Sequence, residues 1–389
     1  MNLHGQKFFA TYDQELLLKA ALLQGPDAIH AWQEWKDNTD LEGHLDRGSF
    51  RLLPLLYKNL LRHRVKNPFM NKLKGIYRRE WYKNQMLFFE MSKVLRYLHD
   101  KGIRTMILKG AALTVLHYKD YGVRPMADID VLVPTSEAVI AIDLLGRAGW
   151  TPIAGFMDND LHYRHAAQLT HKSGKELDLH WHLLQDSCRK DSDTDFWNNA
   201  VPAQMKDVST KALNSADALL HVIVHGVKWN PEPPIRWIAD AMSIINCSDS
   251  QIEWERLIHQ AKKHRVSLRV KEALDYLRSD FQASVPEAVI DSLDNIRLSL
   301  MERFEFRRIM INEKARGNAL SGGFEFAFTH YLRLSHGKGP LAVISGLSSY
   351  LLNRYRKKSL RHFLSYVMAR GIRRIKKRLL GRLATNDQE

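Results

Sequence analysis

The chain has 389 residues, 45% of them hydrophobic, and a formal net charge of +15, enough apolar content for a sizeable core and enough length for two or three structural units. Cys188 and Cys247 lie far apart without CxxC spacing, which excludes a disulfide framework and a thiolate zinc site. No apolar run approaches the roughly 20 residues needed to cross a bilayer, and the opening MNLHGQKFFATYDQ lacks a signal-peptide pattern, so a cytoplasmic protein is expected.

Residues 8 to 100 place apolar side chains at three- and four-residue spacing, as in QELLLKAALL, FRLLPLLYKNLL and MLFFEMSKVLRYLHDKG, which predicts several amphipathic helices. Gly102 ends the last of them, and Ile103 to Leu108 is too short for a helix but suits a buried strand. Then follow a helical GAALTVLHY, a strand at 128–133 (DIDVLV), a helical SEAVIAIDLLGRAG, and two strands around 161–170 and 175–182. After about Cys188 the pattern returns to helices, the clearest being ADALLHVIVHGVKW, IRWIADAMSII and WERLIHQAKKHRV, with a proline-broken loop from Asn230 to Pro234. The expected fold is α/β (α+β), a small mixed-sheet core embedded between N-terminal and C-terminal helical regions. The expected divisions are 1–100 helical, 101–187 the α/β core, 188–336 helical and 337–389 a basic tail.

Asp128 and Asp130 are two apart in a predicted strand, so alternation puts both carboxylates on one face while Ile129 points the other way. Two such carboxylates repel unless a cation joins them, and Mg²⁺ or Mn²⁺ suits oxygen ligands. Asp178, in KELDLHW, repeats the apolar–acid–apolar pattern, and three strand-borne acids could hold two ions about 4 Å apart, an arrangement suited to phosphoryl transfer. An Asp-x-Asp pair is also a common solvated strand end, so the pair alone does not decide between these. Lys109 and Gly110 fall where a strand hands over to a helix, where glycine lets backbone approach a phosphate and lysine adds charge. A tight turn with a surface lysine explains them as well.

The ordered set ILKGAAL, RPMADIDVLV, ELDLHW, LLHVIVHG and IRWIADA, together with the N-terminal FRLLPLLYKNL, resembles the uncharacterised nucleotidyltransferase family of the DNA polymerase β-like nucleotidyltransferase superfamily, from about residue 10 to 330. The resemblance implies transfer of a nucleoside monophosphate from a nucleoside triphosphate such as ATP to an acceptor, with release of pyrophosphate. It makes Asp128 and Asp130 the paired ligands of two Mg²⁺ (or Mn²⁺) ions, and Asp178 the third carboxylate, near the acceptor nucleophile. The acceptor is left open among a small molecule, a carbohydrate precursor, a protein and RNA. Ala111 departs from the glycine or serine usual after the phosphate-turn glycine, which removes a hydroxyl contact to the triphosphate. Arg124, just before the acids, is the replacement phosphate ligand; an ordinary ion pair is its alternative.

His180 and His182 share the face of Asp178, and His180 is the first candidate to orient that acid or touch substrate. His221 and His225, with Asp217 a turn earlier, lie on one helical face; packing or a hydrogen bond to the core explains them better than a metal pair. Arg236 and Asp240, four apart on a helix, match the family's later motif and equally an intrahelical ion pair. Residues 337–389 carry 13 Lys/Arg against Asp387 and Glu389, a net of +11. There Leu360, Phe363, Leu364, Val367, Met368, Ile372, Ile375, Leu379 and Leu383 keep helical spacing, with Arg361, Arg370, Arg373, Arg374, Lys377 and Arg378 mostly opposite. Such a basic amphipathic helix could pack on the protein itself, lie peripherally on an anionic inner membrane surface, or cover RNA phosphates. Two alternatives to an active enzyme therefore stand: a degenerate nucleotide- or RNA-binding module, and a peripheral membrane protein.

Overall fold

The computed structural model describes residues 10–40, 43, 45–157, 159–228, 234–249, 251–310, 319–336, 339–369 and 372, with backbone alone at 310 and 319–326. The chain divides into two compact units, one of residues 1–155 with 165–317 and one of 156–164 with 318–389. Among the described residues no helix is long and apolar enough to cross a membrane.

In the larger unit the N-terminal region is helical. Thr11 and Gln14 form a reciprocal capping box that starts the helix Tyr12–Leu22, whose Leu16, Leu17, Leu18, Ala20 and Ala21 are buried. Its carbonyl end is closed from outside: Asn59, on the helix Leu53–Arg62, donates its amide to the carbonyls of Ala20 and Leu23 at 2.9 and 2.8 Å. One apolar cluster joins these helices to the later helices Ser215–Gly226, Arg236–Ile245 and Ser267–Phe281, and reaches the sheet through Met106, Leu108 and Leu132.

The sheet has seven strands: β1 (Met106–Ile107), β2 (Ile129–Leu132), β3 (Trp150–Pro152), β4 (Ala166–His171), β5 (Glu176–His180), β6 (Val201–Met205) and β7 (Val208–Ala212). Their order is β3-β4-β5-β2-β1-β7-β6. β2 runs parallel to β5 and β1 parallel to β7, and the other neighbours are antiparallel, so this is a mixed α/β sheet between helical regions.

Two differences from the sequence-based expectation have physical causes. Residues 161–163, expected as the start of a strand, belong to the helical turn Asp160–Tyr163, and the strand begins only at Ala166. Residues 201–212, expected within a helical stretch, form the hairpin β6–β7. Its burial alternates as a strand should, yet its two-residue turn is Lys206-Asp207, without the Asn-Gly or Asp-Gly that marks such turns. Lys206 takes the left-handed conformation at φ 54°. Contacts to the long helix Met70–Asp100 hold the turn instead, Lys206 with Gln85 and Asp207 with Arg96. Most of the loop expected from Asn230 to Pro234 lies outside the described residues, as do Ile375, Leu379, Leu383, Arg370, Arg373, Arg374, Lys377 and Arg378 of the tail.

Candidate active site

β2 and β5 are parallel neighbours in a register that sets Asp130 directly beside Asp178. Strands lie about 4.8 Å apart, so two carboxylates at one level on one face must interact. Ile129, Val131, Leu177 and Leu179 point the other way and are buried. That apolar face fixes the register, because a one-residue slip would turn the acids into the core.

His180, two residues beyond Asp178, returns to the same face. Its Nε2 is 3.1 Å from Asp130 Oδ1, and Lys109 Nζ donates to the same oxygen at 2.5 Å. Asp130, Asp178 and His180 each present a ligand atom within 4.8 Å of the others, the one such group of His, Cys, Asp and Glu among the described residues. Asp178 Oδ1 is buried and has no hydrogen-bond partner. A buried anionic oxygen without a partner is costly unless a cation or a ligand donor meets it. These residues therefore fit a divalent ion.

The electrostatics divide the two acids. Burial pushes Asp130 up, but the His180 hydrogen bond and the Lys109 ammonium prevail and hold it below the usual carboxylate range. Burial, then the charge of Asp130, raise Asp178 to about 6, with Lys109 opposing and Asp128 and Glu176 adding. Burial and Lys109 also lower His180 against the pull of Asp130, so a neutral ring donates to the carboxylate.

Asp128 sits at a bend just before β2, half-buried and outside the close group. Its charge nevertheless reaches Asp178 and Arg51. The loop that carries it is braced by the helix Met70–Asp100. Tyr77 donates to Asp120 at 2.8 Å, Asn84 donates to the carbonyls of Tyr121 and Arg124 at 2.6 and 2.8 Å, and Phe88 meets Tyr121 edge to face.

Lys109 reaches Asp130 from a strand-to-helix turn in which it holds the left-handed conformation at φ 45°, uncommon for a residue with a side chain. A Cβ at Gly110 would lie 2.3 Å from Arg124 Nη1 and 2.7 Å from Met126 Sδ, so glycine is needed there because this chain's own side chains fill the space. Arg124 is buried and bonded in bidentate fashion to Asp240, Nε to Oδ1 and Nη2 to Oδ2, both at 2.8 Å. Tyr118 donates to the same carboxylate at 2.9 Å. Arg236 donates to the carbonyl of Pro125 at 3.0 Å, so the helix Arg236–Ile245 clamps the loop before Asp128 with both residues.

Burial, then the charge of Lys109, lower buried His221 to about 3, so its ring is neutral. Its ring lies 6.1 Å from that of His225, which is exposed. Asp217 turns away from them and accepts from Arg256 and Asn214. His182 is buried against Asp193 at 2.6 Å, where it holds the chain after β5. Sequence reasoning missed two cations. Arg51 feels the charges of Asp128, Arg124 and Glu80, and Lys228, three residues after His225, is lowered by burial and by Lys109. Arg51 stands within the FRLLPLLYKNL segment and Lys228 within HVIVHGVKW, so both were in view without a spacing that singled them out.

No curated protein matches the chain. Among solved structures it is similar to the lincosamide antibiotic adenylyltransferase LnuA in its lincomycin-bound form, with 17% identity, 40% of this chain and 95% of that one covered, and a TM-score of 0.30. It is also similar to an antigenic nucleotidyltransferase-like protein from Paracoccidioides brasiliensis, with 14% identity, 55% and 94% covered, and a TM-score of 0.34. A family model described as uncharacterised nucleotidyltransferase matches residues 49–282, more than half of the chain, and so covers β1 to β7 and every residue of the group around Asp130. The chain belongs to the uncharacterised nucleotidyltransferase family and is an enzyme of that class.

Proposed function

We propose that this enzyme transfers a nucleoside monophosphate from a nucleoside triphosphate to an acceptor hydroxyl, with a divalent ion, Mg²⁺ or Mn²⁺, held by Asp130 and Asp178. The observation that carries the proposal is the register pairing of these two acids, with Asp178 Oδ1 buried and unpartnered beside an Asp130 that Lys109 and His180 both contact. Asp128 completes the acidic set from the strand mouth. An ion bound there would neutralise charge on the transferred phosphate and favour an ionised acceptor oxygen. The acceptor oxygen attacks the α-phosphorus, the bond from that phosphorus to the bridging oxygen breaks, and pyrophosphate leaves with the electron pair.

Asp178 takes the acceptor's proton. Without an ion its carboxyl is raised to about 6, and an ion on it would lower that, so its role as a base rests on its position beside the acceptor rather than on that value. His180 orients Asp130, and Lys109, together with Lys228, which feels its charge, and Arg51, which feels that of Asp128, supplies positive charge for the triphosphate. Arg124 acts by placing the loop of Asp128, since its guanidinium is committed to Asp240.

The Lys109 bond to Asp130 also favours a second reading, a nucleotide-binding module without turnover, in which the lysine stands where a cation would act. Incubation with each of four labelled triphosphates, Mg²⁺ or Mn²⁺ and a cell extract separates the two. Label transfer and pyrophosphate release by the wild type, absent from Asp130→Asn and Asp178→Asn, establish catalysis, and the labelled product identifies the acceptor. A triphosphate-dependent rise in melting temperature without transfer selects the binding module.

A further inference from the structure

In the smaller unit, the helix Pro340–Arg354 is followed by a second helical stretch from 360 to 369. The corner between them is aromatic, with Tyr355 5.3 Å from the ring of Phe363 and 6.0 Å from that of Tyr366. Lys357 Nζ lies 4.5 Å over Tyr366. With 3.6 residues per turn, Phe363 and Tyr366 occupy one edge of the apolar stripe, and Leu360, Leu364, Val367 and Met368 occupy the rest. Only that edge is used. Phe363 is buried, whereas Leu364 is 58% and Met368 67% exposed, and Leu360, Val367 and Ile372 are exposed as well. Leu341 and Ile344, at the start of the preceding helix, are 83% and 73% exposed.

The charge around this face has one sign. Lys358 and Arg361 are exposed beside it. No acidic residue occurs between Glu325 and Asp387. We propose that the face of Leu360, Leu364, Val367 and Met368 docks on an anionic lipid surface, apolar side chains entering the acyl boundary and Lys358 and Arg361 meeting headgroup phosphates. Phosphate attraction alone would suit RNA equally, but RNA gives exposed leucine and methionine nothing to enter. The rings that could stack on bases, Tyr355, Phe363 and Tyr366, are engaged with one another. A membrane surface uses both halves of the pattern.

Flotation of the full chain with vesicles tests this. The wild type is expected to float with an equimolar phosphatidylcholine–phosphatidylglycerol mixture and to stay behind with phosphatidylcholine alone. Leu364→Glu/Met368→Glu is expected to weaken flotation by about tenfold or more, since both sites are exposed and two charges must then enter the apolar boundary. Its melting temperature is expected to match the wild type, which excludes misfolding as the cause. Equal flotation of wild type and variant overturns the proposal, as does absence of flotation by both. A wild-type dimer in light scattering that the variant dissociates, without flotation of either, overturns it in favour of a second copy on this face. RNA binding that the variant retains, again without flotation, overturns it in favour of nucleic acid.

Discussion

Two buried aspartates near the strand mouth are each paired with a cation, yet they are built for different ends. Asp240 has both oxygens filled, Oδ1 by Arg124 and Tyr118 and Oδ2 by Arg124, in planar bidentate geometry. Asp130 takes both of its contacts on Oδ1, from a flexible lysine and a neutral histidine, beside an Asp178 oxygen with no partner at all. The first pair is closed and locks a loop to a helix. The second is incomplete, and incompleteness in a buried polar group is what a binding or catalytic site requires. Burial and ion pairing alone would not separate them; satisfaction of each oxygen does.

The largest effect expected on activity comes from the incomplete group. Asp130→Asn and Asp178→Asn should each reduce transfer by about 10³-fold or more while leaving the fold intact, measured as label transfer alongside circular dichroism. Asp240 should behave in the opposite way. Asp240→Ala leaves the Arg124 guanidinium buried and unpaired and should cost about 3–5 kcal/mol in urea unfolding, whereas Arg124→Met/Asp240→Leu should recover much of that loss. A stable Asp240→Ala protein with the rate loss expected for Asp130→Asn would break the comparison.

Gly110→Ala should cost about 1–3 kcal/mol, because the added methyl must displace an arginine that Asp240 holds in place. In the Arg124→Met/Asp240→Leu background the same substitution should cost less, which unfolding of both proteins would check.

The smallest effect is a titration. Asp178 has its carboxyl raised to about 6, above its unfolded value, so the folded state binds its proton more tightly and stability falls as pH rises between about 4 and 6. Asp178→Asn should therefore melt above the wild type at about pH 7.5 without divalent ions, and the gap should close as pH falls through 6 towards 4. Adding Mn²⁺ at the higher pH should raise the wild type and leave the variant unchanged. A gap that does not vary with pH would mean that Asp178 is an ordinary exposed acid.

Much of this geometry was legible in local pattern. The apolar–acid–apolar alternation of DIDVLV and ELDLH placed Asp130 and Asp178 on strands with their apolar neighbours turned the other way, because side-chain direction in a strand depends on parity, whereas Asp128, expected in the same strand, lies at the bend before it. The turn at Lys109-Gly110 was visible from a strand meeting a helical segment. The hairpin Val201–Ala212 was not, since its turn lacks the residues that mark hairpins and its partners Gln85 and Arg96 lie on a distant helix.

By itself the sequence determined strand and helix periodicity, the family, and the outward alternation of Asp130 and Asp178 on their strands, all consequences of spacing along a few residues. Only tertiary structure decided that Asp130 stands level with Asp178, that His180 and Lys109 converge on one oxygen, and that Arg124 turns to Asp240. It also decided that just one edge of the stripe at 360–369 is covered. Register and pairing between distant segments follow from how their apolar faces pack together, and that packing is a property of the whole core.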